Sequence, residues 1–401
     1  MSVFIDSLNA SGKTAAAKKD KPVEFDVRLL TVALIILCIG LVMVSSASIT
    51  TADRALGSPF YYLQRQLLST FLGLSAAYAV TKIRLVYWEK SGMIMLGLAM
   101  ILLVLVLVPG IGNTVNGSTR WIPLGIFNLQ VSEVAKLFLL IYTAGYLVRH
   151  GNEVRQSFWG FVKPMLLVSV ACLLLLLEPD FGATVVIMLV VMGMMYLGGV
   201  RFIQFFALIV SFAGAAAIII MLSPYRMQRL TAFVNPWADP FDSGFQLTQS
   251  LIAIGRGSWS GTGLGGSVQK LFYLPEAHTD FVFAVYAEET GFIGVMLLIT
   301  LFMYLILRAF INGRNAEKNG NKFAAFTAYG IAIWLGLQAF INIGVNMGVL
   351  PTKGLTLPLM SYGGSSLIVN CIAIGILIRI SIENALHGKQ AMNNARSRRL
   401  P

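Results

Sequence analysis

The chain has 401 residues, 57% of them hydrophobic and only 12% charged, with a formal net charge of +12. A soluble domain is roughly a quarter charged, so this composition excludes a water-soluble globular protein and points to a bilayer. The lysines and arginines form no patch interleaved with aromatics, which excludes a nucleic-acid surface.

Residues 1–28 are polar and rich in Ala, Lys, Ser and Asp, and are expected to form a disordered cytoplasmic tail. Windows of about 20 apolar residues then recur, the length that crosses roughly 30 Å of hydrocarbon. They lie near 29–48, 63–81, 91–109, 131–149, 162–178, 180–199, 203–222, 281–309, 323–349 and 366–386. The pattern predicts an all-α polytopic membrane protein with ten transmembrane helices over 29–386 and a basic cytoplasmic tail at 387–401. The long polar lead before the first run favours an uncleaved anchor over a signal peptide. With the N-terminus in the cytoplasm, most of the 30 basic residues fall on the inner side, including Lys82, Arg84, Lys90, Arg149, Arg155, Arg308 and Arg314. That asymmetry follows the positive-inside rule and places both termini in the cytoplasm.

Cys38, Cys172 and Cys371 lie in apolar runs, so no disulfide framework is expected. His150, His278 and His387 have no metal-ligand spacing. In the outward loop 117–125, GSTRWIPLG, Arg120 either snorkels to headgroups or meets an anion. Glu133 and Lys136, one turn apart in the fourth run, are expected to pair on one helix face. The largest break in hydrophobicity is the outer loop 223–280, between the seventh and eighth runs. It carries Arg226 and Arg229, an amphipathic stretch at 245–255 and the glycine-rich tract RGSWSGTGLGGS at 256–267. Gly261, Gly263 and Gly266 satisfy G-x-G-x-x-G, but a dinucleotide site needs a preceding strand and a cytosolic setting. Here the glycines are expected to permit tight turns or close backbone approach, and the loop is expected to form a partly membrane-embedded lid.

The segment 273–291, YLPEAHTDFVFAVYAEETG, is the most informative. Glu276, His278 and Asp280 stand at the mouth of the eighth run, with Glu288 and Glu289 roughly 12 Å deeper at 1.5 Å per residue. Charges at membrane depth usually mark function or a paired structural site. Asp280 is either an N-cap or a general base with a shifted pKa. Glu288 lies about 80° around the helix from Asp280 and is expected to line the same cavity, with Glu289 nearly opposite. In the last outer loop, 350–365, Ser365 is a helix N-cap and, with Lys353, a candidate anion seat.

These segments together resemble the SEDS family (shape, elongation, division and sporulation), and its cell-division branch in particular. The matching stretches are LVMVSSAS (41–48), GSTRWIPLG with QVSEVAKL (130–137), EPDFGATVV (178–186), RLTAFVNPWADPFDSGFQLTQSLIAIGRG (229–257), GTGLGGSVQKLFYLPEAHTDFVFAVYAEETGFIG (261–294) and QAFINIGVNMGVLPTKGLTLPLMSYGGSSL (338–367). They span nearly all ten expected helices in order. Val131 departs from the proline many relatives carry there. The resemblance implies peptidoglycan glycan polymerisation from lipid II at the outer face of the bacterial cytoplasmic (inner) membrane, at the division septum. It implies Asp280 as the essential carboxylate. It also implies a class B penicillin-binding protein as transpeptidase partner, with other divisome membrane proteins.

Such a transfer needs a base at the attacking sugar hydroxyl, for which Asp280 is the candidate. It needs positive charge where the pyrophosphate leaves, for which Lys353, Arg226, Arg229 and Arg120 are candidates. Glu276 or Glu288 would hold a divalent cation, were one used. Two other readings stay open: a lipid II flippase with Glu133, Lys136 and Glu289 as polar steps, and a non-catalytic scaffold.

Overall fold

The computed structural model describes residues 25–115, 118–123, 125, 128–242, 244–271, 273–352 and 354–397. Residues 1–24 of the expected N-terminal tail therefore lie outside the described residues. In chain order the elements are α1 (Val27–Leu56), α2 (Tyr61–Lys82), α3 (Leu85–Lys90), α4 (Gly92–Val106), β1 (Asn113–Val115), β2 (Ser118–Pro123) and β3 (Asn128–Gln130). Then come α5 (Val131–Gln156), α6 (Phe158–Leu177), α7 (Phe181–Leu197), α8 (Phe202–Met221), α9 (Pro224–Val234) and α10 (Phe245–Gly257). The last three are α11 (Val282–Lys318), α12 (Lys322–Asn346) and α13 (Gly364–Ser397). A helix lies over each apolar run read from the sequence. Seven of them are long and apolar enough to cross a membrane, and Gly92–Val106 and Phe181–Leu197 are shorter apolar helices. Such runs become helices because hydrocarbon offers no partner for a backbone N–H or C=O.

The all-α expectation needs one correction. β1, β2 and β3 form an antiparallel three-stranded sheet in the loop before α5. The sequence between β1 and β2 is Asn116-Gly117, a dipeptide that favours tight hairpins. That signal was present in the sequence but lies beside long apolar runs that dominate a hydropathy reading.

α5 is the centre of the bundle, buried over most of its length between α4, α6, α7 and α12. α2 lies along α13, and α11 along α12. Polar side chains fix the ends. Asp26 caps α1 by accepting from the Leu29 N–H at 3.1 Å, while its other oxygen accepts from Arg308 (2.8 and 3.0 Å) and Asn312 (3.0 Å). Its own N–H donates to Ser381 Oγ at 2.7 Å, so one residue ties α1 to α11 and α13.

α11 is not continuous. At Gly291, with φ 67° and ψ −166°, it breaks into a short outer segment and a long inner one. The segment 258–263 fills the break. The Thr262 and Gly263 N–H groups donate to the carbonyls of Glu288 (3.0 Å) and Glu289 (3.1 Å), and the Phe292 and Ile293 N–H groups donate to those of Ser258 (2.9 Å) and Trp259 (3.3 Å). A Cβ at Gly257, Gly261 or Gly291 would collide with the facing backbone. The expected close approach at the glycine-rich tract is thus real, and its partner is α11.

Candidate active site

The outer segment of α11 carries carboxylates at both ends. Asp280 precedes it, half-buried. The residue at the cap position is Phe281, which offers no side-chain cap, and the Ala284 N–H is shared between the Phe281 carbonyl (3.0 Å) and Asn346 Oδ1 (3.2 Å). Asp280 therefore does not N-cap α11, and one of its two sequence readings falls away. Its backbone carbonyl accepts from Asn342 Nδ2 (2.9 Å) and Asn346 Nδ2 (3.0 Å), both on the last turns of α12. Its Oδ2 faces the backbone of the 350–365 loop, close enough that a Cβ on Gly354 would meet it at 3.1 Å.

That loop is held from several sides. Asn342 Nδ2 also donates to the Leu355 carbonyl at 2.6 Å. Gln338 Nε2 donates to the Thr356 carbonyl at 2.9 Å, and Gln66 Nε2 on α2 to that of Ser361 at 3.1 Å. Tyr362 N–H donates to the His278 carbonyl at 2.9 Å, joining the loop to the strand of chain before Asp280. The His278 ring packs in a triangle with those of Tyr62 and Tyr362, at 4.4 and 5.5 Å between centroids, the two tyrosines being 5.1 Å apart. Burial pulls its pKa below the usual imidazole value, against the opposing field of Glu276. Glu276 itself is exposed, with φ 56°, and its Oε2 accepts from Thr279 Oγ1 at 2.7 Å.

The other expected site residues fare differently. Lys353 lies outside the described residues, as do the side chains of Arg226 and Arg229 on α9. Ser365 is buried and fully engaged: its hydroxyl donates to the Asn128 carbonyl (2.6 Å) and accepts from the Gln130 N–H (2.9 Å). It pins α13 to β3, and since α13 begins at Gly364 it stands inside the helix rather than at its cap. Arg120 on β2 approaches Asp180 at 3.7 Å. Asp180 caps α7 through the Ala183 N–H (3.1 Å), and beside it Glu178 is wholly buried with neither carboxylate oxygen hydrogen-bonded. Burial first, then the neighbouring Asp180, push the Glu178 carboxyl up to about 8, while Arg120 pulls it back.

Glu288 does not line a cavity with Asp280. It is fully buried at the far end of the segment, where it accepts from Arg256 (3.1 Å), the Val268 N–H (3.0 Å), the Gln269 N–H (3.3 Å) and the Ser267 hydroxyl. With its oxygens so occupied it does not fit a divalent cation. Among the described residues no group of three or more His, Cys, Asp or Glu side chains could hold a metal ion. Glu289 accepts from Lys270 Nζ (2.8 Å) and Ser46 Oγ (2.7 Å), fixing the loop to α1. Helical angle alone put Glu288 toward Asp280. The deciding partner, the folded-back 256–270 segment, has no periodic signal. Glu133 and Lys136 do pair, at 2.8 Å, and Lys136 also reaches Gln338 at 2.9 Å. The residues that sequence reading missed are Gln66, Gln338, Asn342 and Asn346. The i, i+4 spacing of the two asparagines at the end of an apolar helix was the available sign.

Comparison with known proteins agrees with this architecture. Residues 27–386 match the family model described as cell cycle protein, FtsW/RodA/SpoVE. The chain is 59% identical over 91% of its length to a probable peptidoglycan glycosyltransferase FtsW of Thioalkalivibrio sulfidiphilus, covering 91% of that protein. It is 54% identical over 90% of its length to the protein of the same name in Coxiella burnetii, covering 97% of it. Among solved structures, a chain from a peptidoglycan synthase complex, solved for its structural coordination of polymerization and crosslinking, superposes with a TM-score of 0.74. That chain is 30% identical, with 90% of this chain and 99% of that one covered. The rod shape determining protein RodA of Thermus thermophilus superposes with a TM-score of 0.66 at 28% identity, covering 90% and 97%. A multi-pass membrane bundle with this helix order, these motifs and these relatives has one placement: the chain belongs to the FtsW/RodA/SpoVE family, the SEDS family.

Proposed function

We propose that the protein is a peptidoglycan glycosyltransferase that polymerises lipid II into glycan strands during cell division, with Asp280 as general base. In this reading ten helices within 29–386 cross the inner membrane, both termini are cytoplasmic, with a polar tail at 1–28 and a basic one at 387–401, and the 223–280 loop is extracytoplasmic. The observation that carries it is the treatment of Asp280. Its side chain does no capping, its backbone is clamped by two buried amides, and its carboxylate faces the loop that bears Lys353. A carboxylate so held at the mouth of a helix bundle is arranged to take a proton.

The sugar 4-hydroxyl of one lipid II attacks the anomeric carbon of another. Its proton passes to Asp280 as the new glycosidic C–O bond forms, and the bond to the pyrophosphate breaks. Lys353, with Arg226 and Arg229, would receive the charge that grows on the leaving pyrophosphate. Arg120 already faces Asp180 and has the weaker claim. A single-span class B penicillin-binding protein is the proposed partner, alongside other divisome membrane proteins. The relative solved within a peptidoglycan synthase complex supports that assignment.

The flippase reading would need Glu133, Lys136 and Glu289 to act as successive steps. Lys136 is bonded to Glu133 and to Gln338 on α12, whereas Glu289 is bonded to Lys270 and to Ser46 on α1. They belong to separate networks. Purified full-length protein in detergent, given lipid II, tests the polymerase reading without a second leaflet. Asp280→Asn is expected to reduce glycan synthesis by at least about 10²-fold while lipid II binding and thermal unfolding stay as in wild type. A rate within a few-fold of wild type would overturn the base assignment.

A further inference from the structure

Two asparagines on the last turns of α12 make a set of contacts that reaches across the candidate site. Asn342 and Asn346 are 2% and 0% exposed. The Asn342 amide places one hydrogen on the Asp280 carbonyl (2.9 Å) and the other on the Leu355 carbonyl (2.6 Å). Asn346 donates to the same Asp280 carbonyl (3.0 Å) and to the Asn342 carbonyl (2.9 Å), and accepts from the Ala284 N–H (3.2 Å). The Asn346 carbonyl in turn accepts from Ser250 Oγ on α10 at 2.8 Å. One side chain thus bridges the backbone beside the carboxylate and the backbone beside Gly354, which that carboxylate faces.

An aliphatic residue at either position would complete α12 just as well. A buried amide such as that of Asn342, whose two hydrogens both point at carbonyls outside its own turn, is costly unless its partners hold still. The α12 backbone does not need Asn342's bonds, but the Asp280 peptide and the Leu355 peptide do. We propose, resting on the functional reading above, that Asn342 and Asn346 are positioning residues. They set the distance and angle between the Asp280 carboxylate and the 354–356 backbone, and so hold the base at the place where the acceptor hydroxyl must lie. Asn342 sets the spacing between the two backbones, and Asn346 sets the entry angle of α11 by capping it in place of Asp280.

The prediction concerns turnover rather than binding. In purified full-length protein with lipid II, Asn342→Ala is expected to lower kcat by roughly 10- to 100-fold, the scale on which small misplacements of reacting groups act, with KM held within about threefold. On an Asp280→Asn background the same change is expected to lower the residual rate no further, because its effect passes through the carboxylate. Gly354→Ala is the independent variant. It leaves the asparagines intact and puts a methyl group 3.1 Å from Asp280 Oδ2, so it is expected to give the same split between kcat and KM.

A folded Asn342→Ala protein with kcat within about threefold of wild type would overturn the proposal, as would a full further loss on the Asp280→Asn background. Should Asn342→Ala fail to fold, Gly354→Ala decides, and an unimpaired kcat there overturns the proposal equally. An Asp280→Asn enzyme working at the wild-type rate would sink the functional reading and this one with it. An inactive Asp280→Asn beside an unimpaired Asn342→Ala sinks the positioning role alone.

Discussion

Asp280 and the pair Glu288–Glu289 stand at opposite ends of one short helical segment, and the fold treats their carboxylates in opposite ways. At the inner end, every oxygen of Glu288 is matched to a donor from the 256–269 chain, and Glu289 is matched to Lys270 and Ser46. At the outer end, the protein holds the Asp280 backbone instead and turns the side chain toward Gly354. At one end the carboxylates tie α11 to the docked loop and to α1, while at the other the fold fixes the peptide and turns the carboxylate toward a neighbouring loop.

Substitution at the two ends should therefore separate stability from activity. Glu288→Ala is expected to lower the unfolding free energy by about 3 kcal/mol, the low end for stripping one partner from a buried charge network, because Arg256 remains 44% exposed. Protein that still folds should keep lipid II turnover far better than Asp280→Asn does. If Glu288→Ala unfolds like wild type in denaturant but loses turnover, the contrast between the two ends collapses. Gly261→Ala tests the same end with less force. Its φ of 80° and the facing Glu289 carbonyl leave no room for a methyl, and a loss of about 1–3 kcal/mol is expected. Unchanged protease resistance of the 256–270 segment would speak against that docking.

The smallest effect concerns Glu178, a third buried carboxylate, and one that lacks hydrogen bonds altogether. Its folded pKa of about 8 lies above the ordinary value of 4.5, so the folded chain holds this proton more tightly than the unfolded one. Its stability contribution is complete below the ordinary value and is lost as pH rises through about 8. Glu178→Gln should differ from wild type by about 1 kcal/mol or less near pH 5 and grow relatively more stable toward pH 9. Melting curves in which Glu178→Gln loses stability relative to wild type as pH rises would refute the assignment.

Much of this was readable from the chain. Hydropathy placed a helix over every apolar run, because in hydrocarbon the backbone has few alternatives. The Glu133–Lys136 pair followed from helical spacing, and the close approach of the glycine tract from residue type. Contacts made by folded-back chain were not readable. Glu288 was assigned to the Asp280 side by angle, yet its partners at 256–269 arrive from a loop without periodicity. Ser365 looked like a helix cap, but a strand absent from the hydropathy pattern claims its hydroxyl. Asn342 and Asn346 were passed over, since their importance lies in carbonyls far away in the chain.

The break at Gly291 also constrains how the protein can be made. A helix with that interruption, alone in lipid, would leave two carbonyls and two N–H groups without partners, at several kcal/mol each. The 258–263 segment that supplies all four partners is synthesised before α11. α11 must therefore either enter the bilayer unbroken and be opened later by the docking segment, or enter with that segment already in place. In both cases the outer segment that carries Asp280 takes its final direction only when the break is filled, so the order of membrane insertion is part of what assembles the site.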